Sequence, residues 1–87
     1  MTAYRHAPGS LWRRSSDRVV VDLPDADEAL ILAGPASKAW TLLTEPWTEE
    51  ELTAALAEQY GERPEAVRDD VIAMLEQLRD AGAITSK

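Results

Sequence analysis

A chain of 87 residues, 45% of them apolar, has the size and composition of one folded domain with a modest core, not of a disordered segment. The absence of cysteine excludes disulfides, thiolate metal sites and cysteine nucleophiles, and a single histidine, His6, argues against a histidine-rich metal site or a catalytic triad. The net charge of −7 is uneven: Arg5, Arg13, Arg14 and Arg18 outweigh Asp17 in residues 1–20, whereas residues 21–87 hold five basic and fifteen acidic side chains. Such an acidic body repels phosphate backbones, so a protein or peptide is the expected partner, not nucleic acid.

Taken in order, residues 1–10 carry no clear pattern and are expected to be flexible or loosely packed within a single domain spanning residues 1–87. Leu11 to Arg14 reads as a short strand, with Ser15-Ser16-Asp17 as a turn. Arg18 to Leu23 is the clearest strand, because Val19, Val21 and Leu23 alternate with Arg18, Val20 and Asp22. Pro24 ends it, having no N–H for a ladder, and Asp25-Ala26-Asp27 turns the chain. Glu28 to Ala33 reads as a third strand, apolar from Ala29 onward. Connections this short imply an antiparallel meander.

The texture becomes helical at Gly34-Pro35, with proline suited to a first helical turn. Ala36, Ala39, Trp40 and Leu43 share one face of the first helix, and Glu45-Pro46 stops it. Thr48-Glu49-Glu50-Glu51 has capping-box spacing, with Trp47 and Leu52 placed for a hydrophobic staple. The second helix is expected to bury Leu52, Ala55, Leu56 and Tyr60, and Gly61 suits its left-handed C-terminus. Pro64 starts a third helix carrying Val67, Val71, Met74, Leu75 and Leu78; Gly82 ends it, and Ile84 can fold back onto the core. Strands followed by helices predict an α+β domain: a three-stranded antiparallel sheet, then three helices, in a winged-helix-like layout.

No phosphate-cradling glycine loop, metal-ligand spacing or nucleophile elbow is present, so no enzyme activity, metal or cofactor is expected. Glu49, Glu50 and Glu51 suit the positive end of a helix. Asp69 and Asp70 fit either a solvated helix face or a polar contact to a partner. Trp40 and Trp47 fit the core and the staple, whereas Trp12 has no evident place. The arginine-rich start fits a solvated strand face. The longest apolar run, Ala29 to Ala33, is too short to span a bilayer, and with no apolar N-terminal segment the expected location is cytoplasmic.

The third strand is the most informative element. It is the edge of a meander, yet it is apolar on both faces and lacks the lysine or proline that protects an edge. Either helices cover both sides, or the edge docks an extended peptide that adds a strand. The third helix gives a parallel signal. Val71, Leu75 and Leu78 form one stripe, and Val67, Asp70, Met74 and Gln77 form a neighbouring one, as if the helix faced both the core and a groove.

These pieces resemble the PqqD-like family, the RiPP recognition elements of peptide-modification pathways. The resemblance runs from the valine-rich strand and Ala29-Leu30-Ile31-Leu32 through Gly34-Pro35-Ala36, Ala39-Trp40-Thr41-Leu42-Leu43 and Thr48-Glu49-Glu50-Glu51-Leu52. It continues through Leu56-Ala57-Glu58-Gln59-Tyr60-Gly61 to Ala81-Gly82-Ala83-Ile84. The chain departs at Ala33-Gly34, where many relatives have Leu-Asn, a swap that points away from the quinone-cofactor branch. The resemblance implies a non-catalytic adaptor that binds the leader segment of a ribosomally made precursor peptide and hands it to a maturation enzyme. A lasso-peptide leader peptidase is favoured over a radical-SAM or quinone-cofactor enzyme. It also implies that the leader lies antiparallel to the third strand, beside the third helix. The expected contacts are Glu28, Ala29, Leu30, Ile31, Leu32 and Ala33 on the strand and Val67, Asp70, Val71 and Met74 on the helix. A winged-helix transcriptional module is the competing class. Against it, Pro64 to Gly82 carries Arg68 and Arg79 but five acidic side chains, a poor composition for a helix entering a DNA groove.

Overall fold

The structure, a computed structural model, describes residues 2–24 and 26–86. Its elements are β1 (Ala3–His6), β2 (Leu11–Ser15), β3 (Arg18–Asp22), β4 (Leu30–Ala33), α1 (Pro35–Leu42), β5 (Trp47–Thr48), α2 (Glu49–Tyr60), α3 (Pro64–Asp80) and β6 (Ile84–Ser86). The expected α+β order holds. The meander is antiparallel in the order β2-β3-β4, with Val19 opposite Leu32 and Val21 opposite Leu30. Val19, Val21 and Leu32 are buried on its inner face. There they join Ala39, Trp40 and Leu43 of the α1 region, Leu52 and Leu56 of α2, and Val71, Leu75 and Leu78 of α3.

The third strand is shorter than expected. Its pairing stops at Val21–Leu30, because β3 ends at Asp22 and Pro24 follows. Glu28 and Ala29 therefore precede the ladder and are exposed. Asp25, expected in the turn, lies outside the described residues; the Ala26 N–H closes on the Leu23 carbonyl at 3.2 Å.

Residues 1–10 are not a loose segment throughout. Strand β1 pairs antiparallel with both β5 and β6, making a second three-stranded sheet. Three strands of two to four residues show no usable alternation, so periodicity does not reveal them. What brings β6 back is the end of α3. Gly82 adopts φ +78°, its N–H donates to the Arg79 carbonyl at 3.0 Å, and the Ala83 N–H donates to the Leu78 carbonyl at 2.9 Å. This Schellman closure reverses the chain and buries Ile84. The same closure ends α2 at Gly61, with the Glu62 N–H on the Ala57 carbonyl at 2.9 Å. At the start of α2 both capping-box bonds form: Thr48 N–H to Glu51 Oε1 at 2.9 Å, and Glu51 N–H to Thr48 Oγ1 at 3.1 Å.

The two sheets meet at an aromatic cluster. The His6 ring stacks on Trp40 at a centroid distance of 3.7 Å, and Trp12 meets both rings edge-on. His6 Nε2 donates to the Trp40 carbonyl at 2.7 Å, a second bond on an oxygen that also accepts from the Leu43 N–H at 3.1 Å. A carbonyl cannot donate, so Nε2 carries the proton. Burial pushes the His6 pKa below its ordinary value, and the bond to Trp40 opposes this only in part.

Two outcomes follow from these contacts. Between pH 7.5 and 5.5 the unfolded chain takes up a proton on His6, near pH 6.5, more readily than the folded one, so stability falls as the pH drops through this window. Urea midpoints measured at both pH values should show this loss in the wild type and a smaller one in His6→Phe; equal losses would contradict it. In the two-residue β2–β3 turn, Ser16 has φ +60°, a position that favours glycine. Relief of about 1–2 kcal/mol of strain outweighs the extra entropy of an unfolded glycine, about 0.5–1 kcal/mol. Ser16→Gly should thus raise stability by about 0.5 kcal/mol, read from the urea midpoint at constant m-value.

Candidate functional site

Strand β4 is the outer strand of its sheet, and among the described residues nothing pairs with its far edge. Alternation sends Leu30 and Leu32 inward, half-buried and buried, and sends Ile31 and Ala33 outward, where Ile31 is 58% exposed. Helices thus cover only the inner face. On the outer face Ile31 stands in a row with Val20 and Arg13.

One cavity adjoins this edge, and a second, sharing Met74 with it, lies beyond the strand. A cleft of about 300 Å³ lies between β4 and α3, walled by Leu30 to Ala33 on one side and by Met74, Gln77 and Leu78 on the other. A larger cavity of about 390 Å³ continues past the start of α1. Its apolar walls include Pro35, Leu56, Val67, Val71 and Met74, and Tyr60, Glu62 and Asp70 also line it. Met74 lines both cavities and divides them. A third cavity of about 390 Å³ is lined mostly by polar and charged residues, Arg14, Ser37, Lys38, Thr41 and Gln59 among them, and shares no lining residue with the other two.

Of the ten residues singled out from the sequence, eight lie on this groove. Leu30, Ile31, Leu32 and Ala33 form the strand wall, and Val67, Asp70, Val71 and Met74 line the larger chamber. Glu28 and Ala29 line neither chamber, because the strand begins after them. Asp70 is exposed at the groove, while Asp69 does not line it.

Pro35, Leu56, Tyr60 and Glu62 belong to the larger chamber and were not anticipated there. Tyr60 corrects the expectation of a core residue. It sits on the last turn of α2, 40% exposed, with Lys38 Nζ 5.5 Å from its ring centroid. Thr53 and Ala57 are buried on α2 instead; the Thr53 hydroxyl donates to the Glu49 carbonyl at 2.7 Å. A signal for Tyr60 was present: an aromatic residue directly before the helix-ending glycine stands where a packed neighbour runs out.

The charged side chains lining the two chambers are Glu62 and Asp70, both acidic. Gly61 has φ +65°, and its left-handed turn sets the position of Glu62; Asp70 comes from α3. The arrangement offers no nucleophile–base pair. It offers a row of backbone donors and acceptors beside apolar chambers. Among the described residues no helix is long and apolar enough to cross a membrane.

Comparison with known proteins gives a consistent result. No curated protein sequence matches significantly. The fold resembles that of TbiB1 in complex with the TbiA(beta) leader peptide, with a TM-score of 0.82 at 21% identity, covering 92% of this chain and 93% of that one. It also resembles the solution NMR structure of the PqqD truncation of Methylobacterium extorquens PqqCD, described as a functional, stand-alone RiPP recognition element. There the TM-score is 0.77 at 19% identity, covering 95% of this chain and 88% of that one. The family model for coenzyme PQQ synthesis protein D (PqqD) matches residues 18–84, from the first residue of β3 to the first of β6. The chain therefore belongs to the PqqD family.

Proposed function

We propose that the protein is a non-catalytic cytoplasmic adaptor that binds the leader segment of a ribosomally made precursor peptide and delivers it to a maturation enzyme. The observation that carries this reading is the open edge of β4 beside the divided apolar groove of α3. An extended peptide completes the ladder through main-chain hydrogen bonds, and its alternate side chains enter the two chambers. The TbiB1 structure, which holds a leader peptide on the same fold, supports it. In an antiparallel pairing the peptide's N-terminal anchor falls toward the larger chamber, because β4 runs from Leu30 toward Pro35.

The enzyme served is a lasso-peptide leader peptidase in this reading, favoured by the TbiB1 likeness and by Ala33-Gly34 at the strand–helix junction. The PqqD match favours a second reading, a quinone-cofactor pathway. A DNA-reading role fits poorly, since α3 is net acidic.

The test uses a synthetic leader from the precursor gene nearest this one. Calorimetry should show binding, and mass spectrometry should show the peptide intact after incubation with the purified chain alone. Duplex DNA should show no specific binding at moderate salt. Met74→Glu places a charge between the chambers and Val67→Glu places one in the larger. Each should cost about 2 kcal/mol or more, roughly 30-fold in affinity, with circular dichroism unchanged. Folded variants that bind like the wild type would refute the placement, and cleavage by the chain alone would refute the adaptor role.

A further inference from the structure

The larger chamber has a charge asymmetry that the backbone ladder does not explain. Its walls are largely apolar, yet Glu62 and Asp70 line it, and among the described residues no lysine or arginine does. The β4–α3 cleft has no charged lining residue. Among the described residues the ion pair within 4 Å is Arg18 with Asp17, far along the chain, so neither Glu62 nor Asp70 forms an ion pair at that distance. Lys38 is held over the Tyr60 ring and lines the polar cavity instead. Both acids are exposed, and they come from different elements: Glu62 follows the left-handed turn at Gly61, and Asp70 lies on α3.

We infer that this groove selects peptides in which the apolar anchor of the larger chamber is flanked by a lysine or arginine. The inference rests on the peptide-binding reading above and adds the chemical class of the peptide. An apolar side chain that fills the chamber brings its flanking residues to the groove wall. A cation there meets two carboxylates, whereas a carboxylate there meets repulsion from both. In the antiparallel pairing the N-terminal part of the peptide lies at this end, so the cation belongs beside the N-terminal anchor. Lysine and arginine stems also cover apolar wall while the charge stays in water. Exposed pairs are individually weak, so a modest preference is expected, about three- to ten-fold for both acids together.

The test is selection from a displayed library of random dodecapeptides on the wild-type chain, on Glu62→Gln/Asp70→Asn and on Met74→Glu. The first variant exchanges exposed carboxylates for amides of the same shape, and circular dichroism checks both folds. Enrichment on the wild type of apolar anchors flanked by Lys or Arg, with the basic bias lost on Glu62→Gln/Asp70→Asn, supports the inference. Calorimetry of one enriched peptide against its Lys→Gln version should then give the three- to ten-fold difference at 50 mM salt and less at 300 mM. Anchored peptides without a basic bias, or with a bias that survives Glu62→Gln/Asp70→Asn, overturn the inference and leave the peptide-binding reading standing. No enrichment, or enrichment unchanged on a folded Met74→Glu, overturns both.

Discussion

The groove is positioned by a ring that never touches it. Trp40 is fully buried on α1, with His6 of β1 stacked on one side and Trp12 of β2 against its edge. One side chain thus joins both sheets to the helix that follows β4. The bond from His6 to the Trp40 carbonyl adds direction to what would otherwise be area burial alone. Replacing such a core aromatic by alanine typically costs about 3–5 kcal/mol, a large part of a small domain's stability. Among the described residues neither the Trp40 nor the Trp47 indole N–H has a hydrogen-bond partner. The two rings are held by packing, with no hydrogen bond to the indole nitrogen helping.

How far the sequence reveals this arrangement depends on the length scale of each element. Strand β3 is legible because Val19 and Val21 alternate with Arg18, Val20 and Asp22 in a β-branched run, and α2 because a capping box and a left-handed glycine mark its ends. Helix α3 is legible because Val71, Leu75 and Leu78 share a face. The second sheet is not, since β1, β5 and β6 are two to four residues long and find each other across more than 30 positions of sequence. His6 illustrates the loss. In the sequence it is a lone histidine near the terminus, and only the non-local pairing of β1 with β6 brings its ring onto Trp40. The groove was legible through β4 and α3, whose doubled apolar stripes have no use in a minimal core. Its α2 wall was not, because Leu56 and Tyr60 reach the chamber through the angle at which α2 packs and Glu62 through the turn at Gly61, and periodicity within one helix carries neither.

A sheet with three helices is also the layout of many DNA-binding modules, and here the same layout carries different chemistry. A recognition helix must project basic side chains from a solvated face. In α3 the apolar residues instead form a floor: Val71, Met74, Leu75 and Leu78 are buried, and the carboxylates stand around them. The arginines of the chain's first 20 residues lie elsewhere. Arg13 and Arg18 are on the outer face of the meander, and Arg14 donates to Thr41 Oγ1 at 2.6 Å. The basic and acidic parts of the chain therefore serve different surfaces.

An unprotected edge is a hazard for a soluble protein, which usually blunts it with proline, lysine or a covering element. Strand β4 has none of these within its four residues, and Ile31 is left exposed. Its shortness limits how much ladder a wrong partner can form, and the α3 wall beside it narrows what can approach. In the proposed peptide-binding role, main-chain bonds along four residues are indifferent to sequence and contribute affinity without choosing among peptides. In that role, choice comes from the two chambers that Met74 separates and from the side chains around them. Methionine at that partition suits the task. Its flexible thioether can move to fit anchors of different shape, which sets apolar size loosely. Under the proposed reading, discrimination then shifts to what a flexible wall cannot relax: the spacing of the two anchors, set by the distance between the chambers, and the sign of the charge beside them.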